Sequence, residues 1–117
     1  MEVYFGKLKL KPGSIPRVRE WVSYFEKNSS EIYSLLRNEG VWIESVFLDT
    51  VDGNDYLLYY MKAECVKAAQ EIFLKSESPH DQYHLEFLRA VVDSSSKPEL
   101  LIDMDRIGDP PRGKSLL

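Results

Sequence analysis

The chain has a single cysteine, Cys65, in 117 residues, which excludes a disulfide within one copy. It has no apolar run approaching the length that a membrane-spanning helix requires. Its first residues lack the basic and apolar blocks of a secretory leader. These absences lead to the expectation of a soluble, cytoplasmic protein. Positive charge is also sparse: 15 Lys and Arg stand against 19 Asp and Glu, for a net charge of −4. The cations are scattered, and a phosphate-binding surface needs them clustered, so nucleic acid is not expected as a partner. Histidine is rarer still, so any imidazole chemistry falls to His80 and His84.

Apolar residues, by contrast, make up 44% of the chain, enough for the core of one globular domain. They are densest from Val41 to Lys62, read as VWIESVFLDTVDGNDYLLYYMK. Two runs of good strand formers flank Asp52-Gly53-Asn54, and an Asp-Gly pair supplies the positive φ that a tight hairpin needs. Side chains alternate faces along a strand. Here Val41, Ile43 and Phe47 fall on one face and Trp42, Val46 and Leu48 on the other, and the second run is equally two-faced. Both faces of the hairpin must therefore be covered.

Before the hairpin, Val3 to Leu10 reads as a strand ended by Lys11-Pro12-Gly13. Ile15 to about Arg37 is one helical stripe of Ile15, Val18, Val22, Phe25, Ser29, Ile32 and Leu36, with Ser14 as cap and Gly40 as stop. That helix, roughly 35 Å long, would outrun a strand of about 27 Å. A bend is expected at the weak helix formers Asn28-Ser29-Ser30. After the hairpin, Glu64 to Lys75 is helical, with Cys65 read as a small core residue. A further helix from about Pro79 to Val92 is capped by Ser78. Asp93 to Lys97 reads as a polar loop and Leu100 to Met104 as the last strand. Residues 106–117 have no packing period and read as a tail, flexible or wrapped on a partner, beyond a domain of residues 1–105.

The order β-α-β-β-α-α-β predicts an α+β, ferredoxin-like domain: a four-stranded antiparallel sheet with helices on one face. The second apolar face is then left for another copy of the chain, and a homodimer is expected.

Three features resemble the dimeric α/β-barrel superfamily, whose best-known members are the antibiotic-biosynthesis monooxygenases. These are the Lys11-Pro12-Gly13 turn, the two-faced hairpin, and Ser78-Pro79-His80 opening a helix. The run Tyr56-Leu57-Leu58-Tyr59-Tyr60-Met61 with Tyr83-His84 and Phe87 resembles more closely a small uncharacterised bacterial branch of it. The resemblance covers about residues 1–105. It implies two sheets facing each other, with a cavity between each sheet and its helices. Characterised relatives oxidise polycyclic aromatics without a cofactor, degrade haem or isomerise lactones. A monooxygenase-like or isomerase-like activity that uses no cofactor is the implied enzyme reading.

The one cluster with chemical potential is His80-Asp81-Gln82-Tyr83-His84. His80 and His84 lie four apart on one helix face, the spacing of a zinc motif with Asp in place of Glu. No third ligand is evident, so a metal is not expected. His84 is the candidate acid–base group, oriented by Asp81 or Glu44; otherwise it is a hydrogen-bonded core histidine. Glu44 is conspicuous as a carboxylate in an apolar run. His80, Tyr59, Tyr60, Tyr83 and Trp42 are the candidate ligand-binding residues, aromatic surfaces with polar tips. Two functions stay open. One is an enzyme or binder of a small apolar or aromatic compound held in the cavity. The other is a non-catalytic dimeric module whose cavity is filled by Trp42, Tyr59, Tyr60 and Met61.

Overall fold

Asp52 and Gly53 both take positive φ, 51° and 77°, and close a two-residue hairpin turn between Val51 and Asn54. The turn fixes the register of two strands in the computed structural model, which describes residues 1–107. The elements are β1 (Glu2–Leu10), α1 (Ile15–Lys27), α2 (Ser29–Glu39), β2 (Val41–Val51), β3 (Asn54–Ala63), α3 (Val66–Lys75), α4 (Pro79–Val91) and β4 (Val92–Ser96). The sheet order is β2-β3-β1-β4 and every neighbouring pair is antiparallel. This is the ferredoxin-like arrangement expected from the element order. Among the described residues no helix is long and apolar enough to cross a membrane.

Register explains the two faces. Glu44, Val46 and Leu48 stand opposite Met61, Tyr59 and Leu57, and β1 aligns Tyr4, Gly6 and Leu8 with the same three β3 residues. This face meets the helices. The other carries Phe5, Phe47, Leu58 and Tyr60. A bulge between Val41 and Ile43 shifts the parity of β2, so Val41 pairs with Ala63 on the helix side while Trp42 is expelled to 61% exposure.

The long helix is broken at Asn28, as expected, and Asn28 Nδ2 donates to the Tyr24 carbonyl at 2.8 Å. Gly40, at φ 73°, closes α2. Ser78 caps α4 through its side chain, which accepts from the His80 N–H.

The last strand is not where the pattern placed it. Val92–Ser96, read from sequence as mostly loop, pairs with β1 from Lys7 to Leu10. Leu100 to Met104 form no strand; Leu100, Leu101, Ile102 and Met104 are exposed. An edge strand needs backbone hydrogen bonds and little apolar surface, and the serines supply no more than that. The segment after β4 instead turns back onto the outer sheet face, where Lys62 Nζ pairs with Asp103 at 2.8 Å and Asp105 at 3.0 Å. Cys65 is an exposed cap residue of α3, not a core residue. Of the tail, residues 108–117 lie outside the described residues.

Two apolar clusters hold helices to sheet. The larger joins Leu10, Val18, Trp21, Leu57, Phe87 and Val91; the smaller joins Val41, Ala63 and Ala69. The space between them is not filled.

Candidate functional site

That space is a cavity of about 160 Å³. Its walls are mostly carbon, with Leu8, Phe25, Leu36 and Phe73 among them. Polar side chains reach it from six elements: Tyr4 from β1, Glu39 from the end of α2, Glu44 from β2, Tyr59 from β3, Gln70 from α3, and His80, Asp81 and His84 from the first turns of α4.

His84 is buried among the rings of Trp21, Phe25 and Phe73, with centroids 5.5, 5.1 and 5.2 Å away. Burial pushes its pKa down to about 4, so it is neutral at pH 7. Its Nε2 lies 3.4 Å from the Tyr59 hydroxyl, and that hydroxyl donates a hydrogen bond to Glu44 Oε1. The carboxylate therefore reaches His84 through Tyr59, and no described hydrogen bond joins Asp81 to His84. Burial raises the Glu44 pKa; the Tyr59 hydrogen bond opposes this, and nearby Asp81 adds to the rise. Burial and the Glu44 carboxylate hold Tyr59 firmly in its neutral form.

Glu39 is the group that sequence reading missed. Burial first, then Asp81 and Glu44, push its pKa up to about 8, so it is mostly protonated at neutral pH. One signal did point to it. Glu39 continues the helical stripe, three residues after Leu36, so it had to face inward. Its charge disguised it as a surface residue.

The structure brings His84, Asp81, Glu44, His80 and Tyr59 to one cavity. It does not bring the other three expected residues. Tyr60 faces the outer side of the sheet, opposite Phe5. Trp42 leaves on the bulge. Tyr83 stacks on Tyr24 at 3.7 Å and accepts from Arg17 Nη1 at 3.0 Å, outside the cavity wall. The two histidines are also engaged separately. His80 Nδ1 meets the Tyr24 hydroxyl at 2.6 Å, while His84 turns to Tyr59. Among the described residues no three His, Cys, Asp or Glu side chains are grouped to hold a metal ion.

Sheet, helices and cavity together define a ferredoxin-like α+β protein with a walled pocket between its two layers. More narrowly, the chain belongs to DUF6176, a family of unknown function, which matches residues 1–109. Among solved structures, the crystal structure of L-rhamnose mutarotase FA22100 from Formosa agariphila is similar, with a TM-score of 0.59 and 18% identity. The match covers 90% of this chain and 100% of that one. At that identity the likeness is one of fold. No curated protein matches the chain.

Proposed function

We propose that this chain binds a small, largely apolar compound, aromatic or alicyclic, in the cavity between sheet and helices, and carries out an isomerase-like proton transfer on it. The carrying observation is that the cavity stays open where Tyr59, Glu44, His84 and Glu39 meet. Two of the side chains that would fill it in a purely structural module are elsewhere: Tyr60 is on the outer side of the sheet and Trp42 is expelled on the β2 bulge. A cavity of about 150 Å³ lined by Leu, Ile and Phe admits benzene, so the ligand is of that order of size. In this reading Glu39 supplies the ionisation nearest neutrality, the best match for general acid–base work. Neutral His84 accepts or relays the proton, held in place by the Tyr59–Glu44 pair. Asp81 and His80 contact the ligand at the cavity wall.

The structural neighbour is by name a mutarotase of a sugar. The cavity's polar groups are outnumbered by carbon walls such as Leu8, Phe25, Leu36 and Phe73, where a sugar's hydroxyls would go unmet, which is why we assign an apolar compound here. Thermal melts with a panel of benzene-sized aromatics and with L-rhamnose test this. An aromatic at 100 times its Kd should add about 2.7 kcal/mol, a rise of roughly 10 °C for a domain of this size, and L-rhamnose should add nothing. Ala69→Leu, which fills part of the cavity, should abolish the response. If no panel member moves the melt and Ala69→Leu simply stabilises, the non-catalytic module is correct.

A further inference from the structure

We propose that the ligand of this cavity carries a protonated amine, whose ammonium group seats against Glu39 and Asp81. The inference rests on the cavity being a ligand site and names the chemistry of its polar end. Glu39 closes α2 and Asp81 lies in the first turn of α4, so two helix ends present carboxyls to one wall. Both residues are more than nine-tenths buried, at 9% and 8% exposure. Among the described residues neither carboxyl takes part in an ion pair or accepts a hydrogen bond. Their oxygens are not sealed off but open onto the cavity and the groove beside it, and carboxyls held in so confined a place are ordinarily paired. The partner is missing from the chain itself.

The rest of the surroundings offer no cation, and the amides nearby, Gln70 in the cavity and Asn38 in the groove outside, are neutral donors. No Lys or Arg lines the cavity. Glu44, the third carboxyl there, is taken up by Tyr59. His84 is held neutral by burial, and His80 Nδ1 is occupied by Tyr24. Lys75 and Glu71 border the groove outside Glu39 and Asp81; both are exposed, and Lys75 forms no ion pair with either carboxyl among the described residues. A primary ammonium has three donors, enough for the Asp81 carboxylate and for Glu39, which accepts through its carbonyl oxygen while protonated and as a carboxylate once the ammonium favours its ionisation; charge-assisted bonds are the stronger kind. The carbon walls then take its hydrocarbon body. A bare metal ion would leave those walls without a contact, and the carboxyls are not grouped to hold one.

Calorimetric titration with benzylamine and with its neutral isostere benzyl alcohol decides the matter. Benzylamine should bind roughly tenfold tighter or better, the return on one charge-assisted contact. In Glu39→Gln/Asp81→Asn the ratio of benzylamine to benzyl alcohol affinity, both measured on the same variant, should shrink to about threefold or less. The single variants Glu39→Gln and Asp81→Asn should each lose part of the preference, and they stand in should the double variant unfold. Benzyl alcohol binding as tightly as benzylamine overturns the ammonium seat and leaves the cavity reading intact. A preference that survives both substitutions overturns the seat's location. Failure of both compounds to bind overturns the seat and the cavity reading together.

Discussion

Burial displaces His84 and Glu39 in opposite directions, and the fold's pH response follows from the pair. The His84 pKa falls from 6.5 to about 4. The unfolded chain therefore takes up the proton first, and stability present above pH 6.5 is lost as the pH falls towards 4, by up to about 3 kcal/mol. Glu39 rises from 4.5 to about 8. Its contribution is a penalty, absent below pH 4.5 and growing up to pH 8, because the unfolded chain gives up that proton first. With allowance for water in the cavity and the groove that its carboxyl borders, it amounts to roughly 1–2 kcal/mol. Stability should peak between pH 5 and 6.5. Melts recorded from pH 4 to 8 should show Glu39→Gln more stable than the parent at pH 8 and equal to it at pH 4. His84→Gln should flatten the acid limb and leave the alkaline one alone. An acid limb unchanged in His84→Gln would mean that the imidazole is not the group that titrates.

At the scale of elements, β1 carries a design detail that sequence alone hides. The Tyr4 ring folds back over Gly6, and a Cβ at Gly6 would lie 2.9 Å from the Tyr4 ring carbon Cζ. Tyr4 also lines the cavity. Gly6→Ala should therefore leave the strand formed, at a cost of about 1–2 kcal/mol, and swing the ring across the ligand space. Ligand affinity should fall well beyond what the modest loss of stability explains; an unchanged affinity would show that Tyr4 has room elsewhere. The hairpin, the break at Asn28 and the cap at Ser78 were legible because each rests on local chemistry: positive φ, poor helix formers, a hydroxyl before Pro79. β4 was not, since an edge strand is recruited by the free hydrogen-bonding side of β1 and not by its own serines. Trp42 was misplaced for a different reason. Strict alternation holds only until a bulge, and nothing in VWIES marks one. In the site, the α4 residues were legible by spacing, whereas Glu39 and the meeting of Tyr59 with Glu44 depend on how α2 and the sheet pack.

Taken whole, the molecule has one sheet face under helices and another with Phe47 57% and Ile43 38% exposed beside Phe5, Leu58 and Tyr60. The segment after β4 covers only part of it, anchored by Lys62, whose pKa is pushed up to about 12 chiefly by its hydrogen bond to Asp103. We expect a homodimer through this outer face. Sedimentation at micromolar concentration should give twice 13.6 kDa, and Phe47→Glu should give monomer. A parent protein that sediments as monomer would end the expectation. Deleting residues 106–117 spares Asp103 and Asp105 and should lower the melting temperature by only a few degrees, about 1 kcal/mol. Loss of the dimer on that deletion would show that the tail wraps the partner.

β2 lies at the rim of the sheet. Over its eleven residues it has no proline, and its only charges are Glu44, which turns inward, and Asp49. A rim so lightly guarded can be extended by any other strand that meets it. Storage losses should therefore rise with concentration before any unfolding is seen, and turbid samples should bind amyloid dyes. A lysine in place of the expelled Trp42 would act as a gatekeeper there, lengthening shelf life with little change in melting temperature.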